Sequence, residues 1–186
     1  MKVPITVGTL RTRLNPNRNV NIDAPFTILN QIDKGAPGSQ GRETLNINAS
    51  PVGAIPLFKH NNWITNFNQP GTITQLDFIS GHSTNTFNAN AALTIGTLNM
   101  TMTANRPDPQ TFNYNAAGTT IGTLNWQYGI WKASVDGGLG PLGATPTVLP
   151  NTVLNVAATQ TVWPGSTTIS ADAALVGDVT GATFGG

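Results

Sequence analysis

The pentapeptide Ile95-Gly96-Thr97-Leu98-Asn99 recurs as Ile121-Gly122-Thr123-Leu124-Asn125, and both copies run on in strict alternation of apolar and polar residues. Met100 and Met102 follow the first copy; Trp126, Tyr128 and Ile130 follow the second. A period of two is the mark of a half-buried strand, since successive side chains leave a strand on opposite faces. Inside each copy the apolar parity changes. Leu93 and Ile95 are odd-numbered, whereas Leu98, Met100 and Met102 are even. A β-bulge or bend at Gly96, and another at Gly122, would return both sets to one inward face.

Looser echoes occur at Val7-Gly8-Thr9-Leu10, Thr44-Leu45-Asn46-Ile47, Gly71-Thr72-Ile73-Thr74 and Thr152-Val153-Leu154-Asn155. Their spacing is irregular, which argues against a solenoid, whose repeats are expected to hold a fixed period. Further strands are predicted from Asn21 to Leu29, Ala54 to Lys59, Gln75 to Ile79, Thr111 to Asn115, Thr145 to Leu149, Gln160 to Trp163, Thr167 to Ala171 and Leu175 to Val179. Clusters such as Lys34-Gly35-Ala36-Pro37-Gly38-Ser39 and Arg106-Pro107-Asp108-Pro109 separate them as turns. No Asn-Gly pair occurs and Asp136-Gly137 is the only Asp-Gly, so tight two-residue hairpins are expected to be uncommon. These signs predict an all-β chain with long loops and little helix: an antiparallel β-sandwich of jelly-roll or similar Greek-key topology. Residues 1–18 read as an N-terminal arm or first strand, and residues 19–186 as a single β-sandwich domain.

Composition adds two constraints. Glu43 is the only glutamate, and β-branched residues are abundant, which disfavours helix. Charged residues make up 9% of the chain and the formal net charge is +1. A free monomer ordinarily relies on a dense, mixed-sign surface for solubility, so neutral polar and apolar β-surfaces point to assembly with neighbours. Charge is also uneven. Residues 1–42 carry six cations and two anions, whereas residues 43–186 carry three cations and six anions. Arg11, Arg13 and Arg18 form a basic arm suited to packing on a neighbouring subunit. Nucleic-acid contact through it is open, although three arginines make a small phosphate-binding patch.

Catalytic chemistry finds little support. The two imidazoles, His60 and His82, are isolated, and adjacent His82 and Ser83 would point apart on a strand, so they make no triad. The acids are scattered singly, no cysteine is present, and the Gly118-Thr119-Thr120 run lacks the spacing and lysine of a phosphate loop. The sequence thus predicts no catalytic residue, metal ligand or cofactor, and it contains no apolar run long enough for a membrane helix.

Among the tryptophans, Trp126 shares the parity of Leu124 and Tyr128 and reads as core, while Trp63 reads as a loop edge. Trp131 breaks the alternation and is a candidate intersubunit anchor, together with Phe184 near the end of an Ala/Gly/Thr-rich stretch. The expected role is a non-enzymatic structural subunit, a capsid or coat protein of a virion made in the host cytoplasm. Its partners would be copies of itself and other structural proteins of the same assembly. An extracellular filament or pilus subunit that uses β-strand complementation is an alternative, with Val3, Ile5 and Val7 in the donor segment. A carbohydrate-binding module that uses Trp63 or Trp131 is another.

Overall fold

A computed structural model describes residues 3–12, 18–34, 43–61, 63–79, 85–100, 110–116, 118–126, 130–133, 147–148, 153–156, 162–163, 168–169, 174–177 and 183–184. The strands are β1 (Ile5–Thr12), β2 (Asn19–Ile22), β3 (Phe26–Lys34), β4 (Thr44–Ile47), β5 (Ala54–Asn61) and β6 (Trp63–Phe67). They continue with β7 (Gly71–Ile79), β8 (Asn85–Ala89), β9 (Leu93–Met100), β10 (Gln110–Tyr114), β11 (Thr120–Trp126) and β12 (Ile130–Ala133). The short closing strands are β13 (Thr147–Val148), β14 (Val153–Val156), β15 (Val162–Trp163), β16 (Thr168–Ile169), β17 (Ala174–Gly177) and β18 (Thr183–Phe184).

Up to β12 the chain alternates between two long sheets. One has the order β1-β3-β5-β7-β9-β11, and the other runs β2-β4-β6-β8-β10-β12-β14-β17. Beyond β12, β13 pairs with β16 and β15 with β18 in two further sheets of two strands each. Every strand pairing among the described residues is parallel. The architecture is a parallel β-solenoid, in which each coil lays one strand on each sheet and the next coil stacks above it. This overturns the expected antiparallel sandwich with jelly-roll topology. The recurring pentapeptide marks two stacked rungs, since Ile121 pairs with Ile95 and Leu124 with Leu98.

Irregular spacing misled because only the strands must stack. Ile55, Ile73, Ile95 and Ile121 are successive register partners, although the intervals between them grow from 18 to 22 to 26 residues. Connections absorb the difference: one residue separates β5 from β6, while nine separate β9 from β10. The scarcity of Asn-Gly suits the same topology, since a solenoid turns corners where a meander would make hairpins.

Stacking like on like fills the interior. Ile55, Ile73, Ile95 and Ile121 form one buried row, and Ile32, Phe58, Leu76 and Leu98 form another. From the second sheet, Leu45, Phe87 and Phe112 face them, with Phe87 edge-on to Phe58 at 5.6 Å and stacked on Phe112 at 5.7 Å. Each such side chain contributes roughly 1.5–3 kcal/mol through burial.

At Gly96 the inward face does change parity: Leu93 and Ile95 are buried before it, Leu98 and Met100 after it. Strands β7 and β9 stay in register on both sides of the change, as do β9 and β11. The bend at Gly96 and Gly122 is therefore shared by neighbouring coils, with no extra residue inserted. Among the described residues the one register shift falls between β1 and β3, where Val7 to Thr9 spans Ile28 to Gln31. A Cβ at Gly96 would lie 2.6 Å from the Thr74 carbonyl oxygen, and one at Gly122 would lie 2.7 Å from that of Gly96. Only glycine admits so close a backbone approach.

Candidate functional surfaces and a buried polar corner

The first coil departs from the rest. Val7, Leu10, Val20 and Ile22 occupy inward positions but are only partly buried, whereas their stacked counterparts Ile32, Leu45 and Ile47 are fully buried. Between β1 and β2 they line a cavity of about 340 Å³ together with Ile5, Phe26 and Ile28. Strands β1 and β2 each have a hydrogen-bonded neighbour on one side only. This end therefore joins unsatisfied apolar surface to free backbone edges, the combination that recruits a further strand layer.

The outer face of the second sheet carries two asparagine ladders. In the first, Asn46, Asn66, Asn88 and Asn113 each donate an Nδ2 hydrogen bond to the Oδ1 of the asparagine one coil earlier, beginning at Asn21, at 2.7–2.8 Å. In the second, Asn48, Asn68, Asn90 and Asn115 do the same down to the carboxylate of Asp23, at 2.8–2.9 Å. All eight bonds point toward the N-terminal coil, and Asp23, which can only accept, fits the base of its ladder. On the first sheet, Arg11, Asp33, Lys59 and Asp77 follow one another in register with alternating sign. Arg11 Nε lies 3.7 Å from Asp33 Oδ2, and Asp77 accepts from Asn99 at 2.7 Å.

A third feature lies inside. Where the first sheet turns toward the second, Thr12, Lys34, Glu43, His60, Asn61, Thr65 and Asn85 are all buried. Lys34 and His60 are register partners, and His60 Nδ1 shares a hydrogen bond with Thr65 Oγ1 at 3.1 Å. His60 also packs edge-on against Phe78 and Phe87, at 4.9 and 5.7 Å. Thr12 Oγ1, His60 Nε2, Asn61 Oδ1 and Asn85 Oδ1 have no hydrogen-bond partner. Burial lowers the Lys34 ammonium from 10.5 to about 7, against the opposing pull of Glu43. Burial, helped by the charge of Lys34, holds the His60 imidazole well below 6.5. Only Asn62 links β5 to β6, and Trp63 takes a positive φ of 64° to make the corner.

The residues singled out by sequence are scattered over this frame. Arg11 is exposed on β1, and the carbonyl of Arg18 accepts the Thr44 amide at 3.0 Å. Arg13, His82, Ser83 and Asp136 lie outside the described residues. Trp131 takes the register position next to Phe112, Trp126 that next to Met100, and Phe184 pairs with Trp163. No group of three or more His, Cys, Asp or Glu side chains that could hold a metal occurs among the described residues. No helix there is long and apolar enough to cross a membrane.

Sequence reasoning missed the ladders and the buried corner. The ladder signal was nevertheless present: Asn21-Ile22-Asp23, Asn46-Ile47-Asn48, Asn66-Phe67-Asn68, Asn88-Ala89-Asn90 and Asn113-Tyr114-Asn115 are one recurring motif. Lys34 and Glu43 carry no comparable mark, because a lysine ahead of a Gly/Pro turn reads as solvated.

Comparison with family profiles, with curated proteins and with solved structures finds no match.

Proposed function

We propose that this chain is a non-enzymatic structural subunit that builds a fibrous assembly by stacking copies on the open first coil. The partly buried row Val7, Leu10, Val20 and Ile22, set between two free strand edges, carries the reading. A second copy brings what that end lacks, namely parallel strand edges on two sheets and apolar rows at matching spacing, about 4.8 Å away. This is strand complementation between subunits, so the filament alternative keeps its structural premise, while a shell of jelly-roll subunits has lost its own. The low charge leaves little electrostatic repulsion between stacked copies. The seclusion of His60 in the core supports the non-enzymatic part of the reading.

Sedimentation velocity over a concentration series, with negative-stain microscopy of the pellet, tests the proposal. Wild type is expected to form elongated particles, and Val20→Lys, which puts a charge into the open end, is expected to remain monomeric. A wild type that stays a single 19.5 kDa particle at high concentration, or a Val20→Lys that assembles as well as wild type, would overturn it.

A further inference from the structure

The buried corner contains the parts of a covalent cross-link. Lys34 ends β3, Glu43 stands just before β4 in the same coil, and Asn61 ends β5 one coil above. Lys34 pairs with His60, so Asn61 is its diagonal neighbour, roughly 6 Å away between Cα atoms from strand spacing and rise. That distance is within the span of a lysine side chain. His60 and Asn61 are consecutive yet both buried, at the corner where β5 ends and β6 begins two residues on. Asn61 Oδ1 has no hydrogen-bond partner.

We propose that Lys34 and Asn61 join in an intramolecular isopeptide bond, with Glu43 as proton relay. The Lys34 amine gives a proton to the Glu43 carboxylate and attacks Cγ of Asn61. Glu43 then donates that proton to Oδ1 as the tetrahedral centre forms. Collapse of the centre restores the carbonyl and breaks the bond from Cγ to Nδ2. The departing nitrogen takes up the remaining proton and leaves as ammonia. A primary amide and an amine thus become a secondary amide and ammonia, with no oxidant, reductant or cofactor involved.

Three features of the corner favour the step. Desolvation brings the lysine close to neutrality, where its lone pair is available. Lys34, Glu43 and Asn61 are all buried, which keeps water away from the reacting groups. Asn61 Oδ1 has no competing hydrogen-bond partner, so it is open to the proton that Glu43 delivers as the tetrahedral centre forms. The consequence of the bond is mechanical: the link clamps two successive coils of a rod at their tightest corner.

Intact-mass spectrometry of the purified full chain tests the proposal, followed by peptide mapping. Wild type is expected to weigh one ammonia less than its sequence, and digestion is expected to yield a branched peptide joining Lys34 to Asn61. Lys34→Met and Asn61→Ala are expected to show their full sequence masses. Glu43→Gln, close in shape but unable to relay the proton, is expected to stay unlinked while retaining the β-sheet circular-dichroism spectrum. A wild type at full mass with the two peptides released separately overturns the proposal, as does a Glu43→Gln that links as completely as wild type. Neither result depends on whether copies of the chain associate.

Discussion

Lys34 and His60 are direct partners on adjacent parallel strands, and both side chains are fully buried. Two basic groups stacked at strand spacing cannot both hold a proton without strong repulsion. The core therefore holds the imidazole neutral, by desolvation first and, before the Lys34 amine is acylated, by its charge second. In the unfolded chain the same imidazole binds a proton near 6.5, so below that pH the unfolded state gains protons that the folded state refuses. The His60 contribution to stability is complete above 6.5 and declines as the pH falls, by at most about 1.4 kcal/mol per pH unit. Urea unfolding at a series of pH values between about 5 and 8 should show this decline, and His60→Leu should flatten it. An unchanged acid slope in the variant would count against His60 as its source.

The asparagine ladders predict a dependence on position within the stack. Asn66 donates to Asn46 and accepts from Asn88, so Asn66→Ala removes two ladder bonds and leaves two neighbours unsatisfied. Asn113 makes one bond of this kind, to Asn88. With about 1 kcal/mol for each bond, Asn66→Ala should cost about 2 kcal/mol and Asn113→Ala about half of that. Chemical denaturation of the two variants gives the comparison. Equal losses would show that the ladder bonds do not act individually.

Glycine in the shared bend gives a steric prediction. The Cβ of Gly96→Ala would meet the Thr74 carbonyl at 2.6 Å, and backbone on a stacked rung cannot give way without parting two coils. The loss should exceed about 2 kcal/mol, in the range of an overpacked core. At Gly53, where φ is +82° and nothing lies within 4 Å of the added carbon, alanine meets only a conformational penalty of about 1–2 kcal/mol. Thermal melts should therefore rank Gly96→Ala below Gly53→Ala.

These positions also show what could be read in advance. The strand character of Leu93–Met100 and Thr120–Trp126 is legible because alternation is a local property of the chain. The change of inward parity at Gly96 is legible for the same reason. Pairing is a long-range property, and an alternating strand accepts a parallel or an antiparallel neighbour equally well. What specifies the stack is identity in register: isoleucine on isoleucine at 55, 73, 95 and 121, and asparagine on asparagine at 46, 66, 88 and 113. Connections of unequal length hide that identity from any search for a fixed period. The buried corner is less legible still, since Lys34, Glu43 and Asn61 are brought together only by the turn of the solenoid.

The cross-link proposed at that corner changes how the protein responds to alkali. A free Lys34 amine has a folded-state value of about 7 and an ordinary value of 10.5, so between them the unfolded chain binds the extra proton. By linkage, stability must then rise with pH from about 7 toward 10.5, by a total on the order of 5 kcal/mol if burial is complete. Once the amine is acylated, nothing remains to titrate and the rise disappears. Asn61→Ala, which keeps the amine free, should therefore gain stability between pH 7 and 10 in guanidinium unfolding, while linked wild type should stay level. Parallel curves for the two proteins would mean that Lys34 is in the same chemical state in both.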